Sequence, residues 1–200
     1  MIKQTIIGTD IEVPLLGLGT VKIGRNQGVK YPVDFSLPDD QSVKKLLSQA
    51  YDLGINFIDT APAYGSSEER LGRLLPGKRT DWVIMTKAGE EFKDAQSSYD
   101  FSHQHIVKSI KRSLQQLKTD YLDIVLIHSN GDDVNIIENE DVFGTLAELK
   151  RQGLIRSFGF SAKTVDGGKL AVDHADVVMV SFNPNDRACE AVIDYAHEKQ

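Results

Sequence analysis

The stretch NFIDTAPAYGSSEERLG, residues 56–72, decides the fold of this chain. It opens with an apolar run that ends at Asp59, and it passes through a loop containing Pro62 and Tyr64 into a segment expected to be helical. An apolar run that ends in a polar residue and leads into a helix is typical of one βα unit of a parallel sheet. The residues that follow such a strand lie at the edge of the sheet where barrel active sites form.

Short apolar runs and amphipathic segments alternate from residue 15 to the end of the chain, which predicts repeated βα units around a parallel sheet. The apolar runs are mostly β-branched or aromatic and are apolar on both faces, as buried parallel strands are. Six strands are predicted: Leu15–Gly19, Ile55–Asp59, Trp82–Lys87, Tyr121–His128, Ile155–Phe160 and Val177–Phe182.

Between the predicted strands, apolar residues recur with the helical period, and the opposite faces are rich in Lys, Gln and Ser. Two such apolar faces consist of Val43, Leu46, Leu47 and Ala50, and of Ile106, Ile110, Leu114 and Leu117. Residues 66–69, Ser-Ser-Glu-Glu, predict a capping box at the start of a helix. Gly54 and Gly153 stand where helices are expected to end before the next strand.

Two segments outside these units are predicted to be a hairpin and a loop. Lys3–Ile7 and Ile11–Val13 are β-prone and flank a short turn at residues 8–10, so they predict a β-hairpin able to plug one end of a barrel. Arg25–Pro38 has little periodicity and contains one glycine and two prolines, which predicts a long loop. The sequence shows no linker, and we expect a single domain over residues 1–200.

Composition limits the classes of partner. The 200 residues are 40 % apolar and 26 % charged, as in an ordinary globular domain. The net charge is −6, the pI is about 5.4 and basic residues are scattered, which argues against binding to nucleic acid. Cys189 is the single cysteine, so an intramolecular disulfide is excluded. Without a signal-peptide pattern or an apolar run of membrane-spanning length, we expect a cytoplasmic protein with no membrane contact.

Polar residues that end apolar runs are the candidates for chemistry. Asp59, Lys87 and His128 end the second, third and fourth predicted strands, and Tyr64 lies in the loop after Asp59. A tyrosine has an unperturbed pKa of about 10, and a neighbouring ammonium makes its proton easier to give. We therefore predict that Tyr64 donates a proton to a carbonyl oxygen in the field of Lys87. Asp59 is expected to hold Lys87 charged, and His128 to hydrogen-bond the substrate oxygen or assist the transfer.

Each of these residues also has a purely structural interpretation. Asp59 and His128 are each common as structural residues at strand ends, Lys87 as a solvated strand terminus and Tyr64 as an aromatic at a barrel rim. A metal-dependent hydrolase using His128 and Asp59 is a further alternative, but it leaves the Tyr–Lys pair unexplained. We expect no metal site. The conjunction of all four favours proton transfer, with hydride supplied by a bound cofactor because no side chain delivers it.

Residues 56–72 resemble the signature of the aldo-keto reductase family, and further segments resemble its motifs in the same order. These are Gly17–Thr20 on the first strand, Met85–Lys87 on the third, Asp120–Asp123 and Ile127–His128 on the fourth, and Gly153–Arg156 and Gly159–Ser161 on the fifth. The resemblance implies a (β/α)8 TIM barrel and reduction of a small-molecule aldehyde or ketone to an alcohol. It implies NADPH as cofactor, with NADH as the other candidate. Tyr64 matches the family's proton donor, and Asp59, Lys87 and His128 complete its tetrad.

The resemblance also assigns residues to the cofactor. They are Gly19, Thr20, Asp59, Ser161 and Met179. Two positions depart from the family pattern, since Ala162 stands where asparagine is usual and Met179 where glutamine is usual. Both replaced side chains normally help to hold the nicotinamide carboxamide. Ser161 remains as the third group. The resemblance therefore implies that the orientation of the nicotinamide ring is less firmly specified, and cofactor affinity is the property that these two replacements affect.

The family continues beyond the predicted helix Arg187–Lys199 with two more βα units, which carry most contacts to the cofactor's phosphates and adenosine. We therefore expect six of eight units, two unpaired sheet edges and a fragment of a longer protein. The alternative function is that of a binding or regulatory protein with little turnover, because the potassium-channel β subunits resemble this family and yet serve largely as partners. Substrate choice is expected to depend on loops, which include Arg25–Pro38, Glu90–Asp100 and the C-terminal part that this sequence lacks. Oligomeric state stays open.

Overall fold

A computed structural model describes residues 1–29 and 31–199. Its strands are β1 Lys3–Thr5, β2 Glu12–Pro14, β3 Leu18–Gly19, β4 Phe57–Asp59, β5 Val83–Ala88, β6 Glu90–Lys93, β7 Gln96–Tyr99, β8 Leu122–His128, β9 Ile155–Ser161 and β10 Val177–Met179. Its α-helices are α1 Val21–Gly24, α2 Asp40–Asp52, α3 Ser67–Leu74, α4 His103–Leu117, α5 Asp133–Asn139, α6 Val142–Arg151, α7 Val165–His174 and α8 Glu190–Glu198. Among the described residues, no helix has the length and apolarity needed to cross a membrane.

Six of these strands form one parallel sheet in the order β3, β4, β5, β8, β9, β10, which is also their order along the chain. At least one helix lies between each strand of this sheet and the next. Two lie between β3 and β4 (α1 and α2) and two between β8 and β9 (α5 and α6). The arrangement is a curled run of six consecutive units of a (β/α)8 barrel, as the sequence predicts. Within the described chain, β3 and β10 are the edges of this sheet.

The apolar character of both strand faces corresponds to two separate cores. Ile84, Val125 and Ile127 belong to the large core between the sheet and the helices. Met85 and Leu126, which alternate with them along β5 and β8, belong to a smaller cluster on the opposite face of the sheet. Because successive side chains of a strand point to opposite faces, buried strands of a barrel need apolar residues at both.

The predicted N-terminal hairpin is present and packs on the inner face of the sheet. β1 and β2 pair antiparallel, and Ile11, which is 1 % exposed, joins the inner cluster with Val83 and Met85. Arg156, at the start of β9, donates a hydrogen bond of 2.9 Å to Asp10 in the hairpin turn. The hairpin therefore sits at the N-terminal ends of the strands, opposite the edge that carries Asp59 and His128.

Both edge strands are shorter than predicted. The first strand covers only Leu18–Gly19, while Leu15 and Leu16 before it are exposed. The sixth ends at Met179 rather than at Phe182. Each has a neighbour on one side only in the described sheet, so a single ladder of hydrogen bonds holds it extended. Leu46 is also more exposed than its place on the predicted apolar face of α2 indicates.

The capping box predicted at residues 66–69 is wrong. Ser66 precedes α3, but its side chain makes no capping bond, and its φ of −84° and ψ of 9° differ from the extended conformation of a capping serine. Glu69, the glutamate of that pattern, is exposed, and the preceding Glu68 turns into the core. Glu68 is fully buried, and its carboxylate accepts hydrogen bonds from Thr86 at 2.6 Å and Ser113 at 3.1 Å. These bonds fasten α3 to the middle of β5 and to α4.

The segment Glu90–Asp100, predicted as a loop, contains a second antiparallel hairpin made of β6 and β7. Its turn holds Asp94 and Ala95 in the left-handed region, with φ values of 52° and 60°. By contrast, Arg25–Pro38 contains no helix or strand in its described residues, as predicted; residue 30 lies outside them. The hairpin begins directly after β5 and stands over the C-terminal edge of the sheet.

Asp123 on β8 joins three strands at the edge opposite the tetrad. Its carboxylate is 1 % exposed and accepts hydrogen bonds from Arg79 and Arg156, each at 2.6 Å, and from the backbone N–H of Ile84 at 2.9 Å. A buried carboxylate is tolerated where such partners satisfy its oxygens.

Replacing Asp123 with asparagine is expected to lower the free energy of unfolding by about 3 kcal/mol, because two guanidinium groups lose their buried counter-charge. Urea unfolding at neutral pH measures this change. Asp120→Asn, at an exposed position close by, is the matched control and is expected to change stability by less than about 0.5 kcal/mol. Equal effects of the two substitutions would contradict this account.

Candidate active site

Four strands deliver polar side chains to the same edge of the sheet. Asp59 is the last residue of β4, Lys87 lies one residue before the end of β5, and His128 and Ser161 end β8 and β9. His128 and Ser161 are paired in register. Because the strands are parallel, their C-terminal ends meet at one mouth, and the structure brings the predicted tetrad together there.

Lys87 stands at the centre of the group. Its side chain is 2 % exposed, and its ammonium contacts Asp59 Oδ1 in a short ion pair. The same Nζ donates to the carbonyl of Thr60 at 3.0 Å and to the Tyr64 hydroxyl oxygen at 3.2 Å. A buried ammonium needs every donor satisfied, and these three acceptors do so without water.

Tyr64 is held by a turn and by two neighbours. It ends the 3-10 turn Pro62–Tyr64, in which proline takes the first position. Arg25 Nη1 donates to the carbonyl of Ala63 at 3.0 Å. Gly24 packs so closely that an added Cβ would lie 2.2 Å from the carbonyl oxygen of Tyr64, so only glycine fits there. The phenol is therefore positioned by backbone contacts on both sides.

Burial raises the pKa of Tyr64 above its ordinary value, and the ammonium of Lys87 opposes that rise without cancelling it. The carboxylates of Asp59 and Glu90 add to the rise. This net direction differs from the sequence-based expectation, which counted the field of Lys87 but not the desolvation of the ring. The phenol consequently keeps its proton at neutral pH.

His128 faces Tyr64 edge-on, with ring centroids 6.4 Å apart and an interplanar angle of 85°. Burial lowers its pKa below the ordinary value, and contact with Glu90 opposes that change only in part. The neighbouring charges of Lys87 and Lys163 lower it further. His128 is therefore neutral at neutral pH.

Glu90 is a buried acidic residue of the site that sequence reasoning missed. Its Oε2 lies 2.7 Å from His128 Nδ1, although the direction of the contact departs from hydrogen-bond geometry. Its Oε1 accepts a hydrogen bond of 2.6 Å from Ser97 and lies 3.9 Å from Arg25 Nη1. Burial alone would raise the pKa of this carboxyl, but the His128 and Ser97 contacts outweigh it and lower the pKa. The available signal was its place three residues after Lys87, just past the strand end.

Ser161 and Met179 lie beside the tetrad on adjacent strands and are paired in register. The Ser161 hydroxyl is almost fully buried, and the side-chain partner that it has in the described part of the chain is the Met179 sulfur, a weak acceptor at 3.8 Å. Ala162 is 4 % exposed, and its N–H donates to the carbonyl of Met179. A hydroxyl with so weak a partner fits a polar ligand group such as a carboxamide.

Gly19 and Thr20, the other residues assigned to the cofactor, differ in accessibility. Gly19 is exposed, with open space where a Cβ would stand. The Thr20 hydroxyl is buried, donates to the backbone carbonyl of Asp59 at 2.8 Å and accepts from Ser67 at 2.9 Å. The Thr20 side chain thus braces Asp59, and only Gly19 presents its surface to solvent.

Asp133, the first residue of α5, connects the loops after β8 and β9. Its Oδ2 accepts from the backbone N–H groups of Lys163 at 2.8 Å and Thr164 at 2.7 Å, and its Oδ1 contacts the Ser129 hydroxyl. These bonds fix the segments that follow His128 and Ser161 relative to each other.

The metal-hydrolase alternative has no support in the arrangement. Across residues 1–29 and 31–199, no group of three or more His, Cys, Asp and Glu side chains is placed to hold a metal ion. Asp59, one of the two expected ligands, is paired with the ammonium of Lys87. A fixed positive charge on that carboxylate disfavours a second cation beside it.

Comparison with known proteins gives a consistent family. The model of the Aldo/keto reductase family matches residues 15–200. Uncharacterized oxidoreductase YqkF of Bacillus subtilis is 31 % identical over 206 residues, which take in 100 % of this chain and 62 % of that protein. The NADH-specific methylglyoxal reductase of Escherichia coli is 30 % identical over 204 residues, 94 % of this chain and 61 % of that protein. This chain thus spans less than two thirds of the length of these relatives.

Solved structures agree in fold. An aldo-keto reductase structure from Pseudomonas aeruginosa superimposes with a TM-score of 0.89 at 53 % identity, covering 98 % of this chain and 74 % of that one. The holo form of an aldo-keto reductase from Bacillus halodurans superimposes with a TM-score of 0.81 at 27 % identity, covering 98 % and 62 %.

The ion pair between Lys87 and Asp59 predicts strong energetic coupling. Lys87→Met leaves a carboxylate without its cation, and Asp59→Asn leaves a buried ammonium without its anion, so each single variant is expected to destabilise the protein. The double variant is expected to lose about 1–3 kcal/mol less than the sum of the two. Urea unfolding of all four proteins measures the coupling.

The exposed pair Glu69–Arg73, at 3.6 Å on α3, is the control for this cycle. Its coupling energy in the cycle of Glu69→Gln and Arg73→Met is expected to stay below about 0.5 kcal/mol. Additive effects of Lys87→Met and Asp59→Asn would show that the two groups do not interact.

Proposed function

This chain is a member of the aldo/keto reductase family, and we propose that the protein reduces an aldehyde or ketone to an alcohol, with a nicotinamide dinucleotide as hydride donor. The observation that carries the proposal is the ammonium of Lys87, which contacts both Asp59 and the hydroxyl of Tyr64. A phenol beside a fixed ammonium is built to lose a proton and to have the resulting charge stabilised.

Tyr64 is the proton donor in this proposal. Its desolvated phenol keeps the proton until a substrate oxygen gains negative charge, so the donor is present in its loaded form at neutral pH. When the proton leaves, the phenolate lies 3.2 Å from the Lys87 ammonium. The attraction is strong because the pair is shielded from water, and Asp59 prevents Lys87 from moving away.

The cofactor site proposed here uses Ser161, with Met179 beside it and Gly19 at the open first strand. A bound nicotinamide dinucleotide supplies the hydride. The buried Ser161 hydroxyl, whose partner among residues 1–29 and 31–199 is the weakly accepting Met179 thioether, offers a hydrogen bond to the carboxamide and thereby orients the ring. NADPH is the proposed cofactor, and NADH is the alternative because one relative is named for NADH specificity.

The proposed substrate is a small aldehyde or ketone, in line with the name of the methylglyoxal reductase relative. The described mouth is bordered by the β6–β7 hairpin and by the loop after α1, which Arg25 connects by lying 3.3 Å over the ring of Phe92. The alternative function is a binding protein with little turnover. The observation that favours it is Met179, which presents a thioether beside Ser161 instead of an amide.

Tyr64→Phe is expected to lower kcat for carbonyl reduction by at least about 100-fold, because the proton donor is removed while the ring is kept. Loss of NADPH absorbance with a panel of small aldehydes measures the rate. Tyr195→Phe is the control. The Tyr195 hydroxyl on α8 donates a hydrogen bond to Asp173 on α7, away from the site, so this variant is expected to keep full activity. Wild-type turnover in Tyr64→Phe would refute the assignment.

Met179→Gln is expected to tighten NADPH binding by about threefold to tenfold, because an amide adds roughly one hydrogen bond to the ligand. Fluorescence titration gives the Kd. Met179→Leu keeps size and apolarity and is expected to bind like the wild type. If the Gln and Leu variants bind equally, Met179 does not face the cofactor.

A further inference from the structure

Glu90 is the acidic residue of the mouth that the tetrad does not use. It is 8 % exposed, it follows Gly89, and it begins the β6–β7 hairpin. Gly89 has a φ of 104°, and an added Cβ would meet the ring of Phe101 at 2.6 Å, so the chain turns tightly there. This turn directs the Glu90 carboxylate back toward His128 instead of outward to solvent.

The two oxygens of the Glu90 carboxylate face different neighbours. Ser97, across the hairpin, donates to Oε1, and Arg25 approaches the same oxygen from the loop after α1. Oε2 is left for His128 Nδ1, 2.7 Å away. A carboxylate whose other oxygen is held by Ser97 presents Oε2 in a constant place beside the His128 ring.

An ionised carboxylate only accepts hydrogen bonds, so it selects the form of a neutral histidine that carries its proton on the facing nitrogen. The facing nitrogen of His128 is Nδ1. The other charged and titratable groups around the ring are Lys87, Lys163 and Tyr64. A lysine ammonium has no acceptor atom. The acceptor that faces Nδ1 is therefore the Glu90 carboxylate.

We propose that Glu90 is a positioning residue that holds His128 in the Nδ1–H form and leaves Nε2 as the nitrogen that meets the substrate. In this form Nε2 carries a lone pair, so it accepts a hydrogen bond from the alcohol hydroxyl or from Tyr64 and donates none to a carbonyl. The proton for the carbonyl oxygen then comes from Tyr64 alone. This catalytic consequence rests on the proposed reductase function, whereas the state of the His128 ring does not.

The test compares Glu90→Gln with Glu91→Gln, the adjacent glutamate, which pairs with Arg112 instead. Nitrogen-15 NMR of the histidine rings reports which nitrogen carries the proton and gives the pKa of His128. The wild type is expected to show the Nδ1–H form at neutral pH. Glu90→Gln is expected to lose that uniform state and to lower the His128 pKa, because an anionic partner is removed.

Glu91→Gln is expected to leave the His128 signals unchanged. Glu90→Asp keeps the charge and is expected to retain the Nδ1–H form at least in part, and circular dichroism verifies that each variant is folded. An Nε2–H form in the wild type, or unchanged His128 signals in Glu90→Gln, would overturn the proposal.

The kinetic arm separates this inference from the function on which it rests. In the reductase assay, Glu90→Gln is expected to lower kcat by about tenfold with little change in KM, and Glu90→Asp to restore part of the loss. An altered His128 ring with unchanged kcat would overturn the catalytic consequence. If the wild type reduces no carbonyl, the proposed function fails, while the NMR result still decides what Glu90 does to His128.

Discussion

A lysine ammonium buried at the end of a parallel strand is the constraint on which the site depends. Lys87 has almost no access to water, so its charge has to be met by protein groups. Those groups are the Asp59 carboxylate, the Thr60 carbonyl and the Tyr64 hydroxyl, which belong to the end of the neighbouring strand and the turn after it. Satisfying one buried cation therefore fixes the strand end and the turn and places a phenol where its proton is easiest to stabilise as it leaves.

The remaining architecture keeps that edge of the sheet free for chemistry. The N-terminal hairpin fills the inner face through Ile11, and Asp123 ties β5, β8 and β9 together at the same far end. Asp133 fixes the loops at the reactive end, and Glu90 joins the β6–β7 hairpin to His128. In a barrel of this kind, residues at the N-terminal ends of the strands stabilise the fold, and the loops at the C-terminal ends form the active site.

Much of this was predictable because it depends on patterns that repeat locally. Runs apolar on both faces identified the parallel strands, and polar residues ending those runs gave Asp59, Lys87 and His128, whose catalytic roles stay predictions. The β6–β7 hairpin was missed because its strands are polar and its turn places Asp94 and Ala95 at positive φ without the glycine that usually marks such a turn. The capping box failed because Ser66 does not adopt the extended conformation of a capping serine. Glu90 was overlooked because burial of a glutamate depends on partners far along the chain, which local spacing does not reveal.

Isotope transfer tests the central claim most directly. The purified wild-type protein is incubated with a small aldehyde and NADPH that carries deuterium at the transferable nicotinamide position, and the alcohol product is analysed by mass spectrometry and NMR. The account predicts one deuterium on the former carbonyl carbon, because hydride from the cofactor and the proton from Tyr64 add to the same carbonyl group. Cofactor binding without formation of deuterated alcohol from any aldehyde or ketone would contradict it.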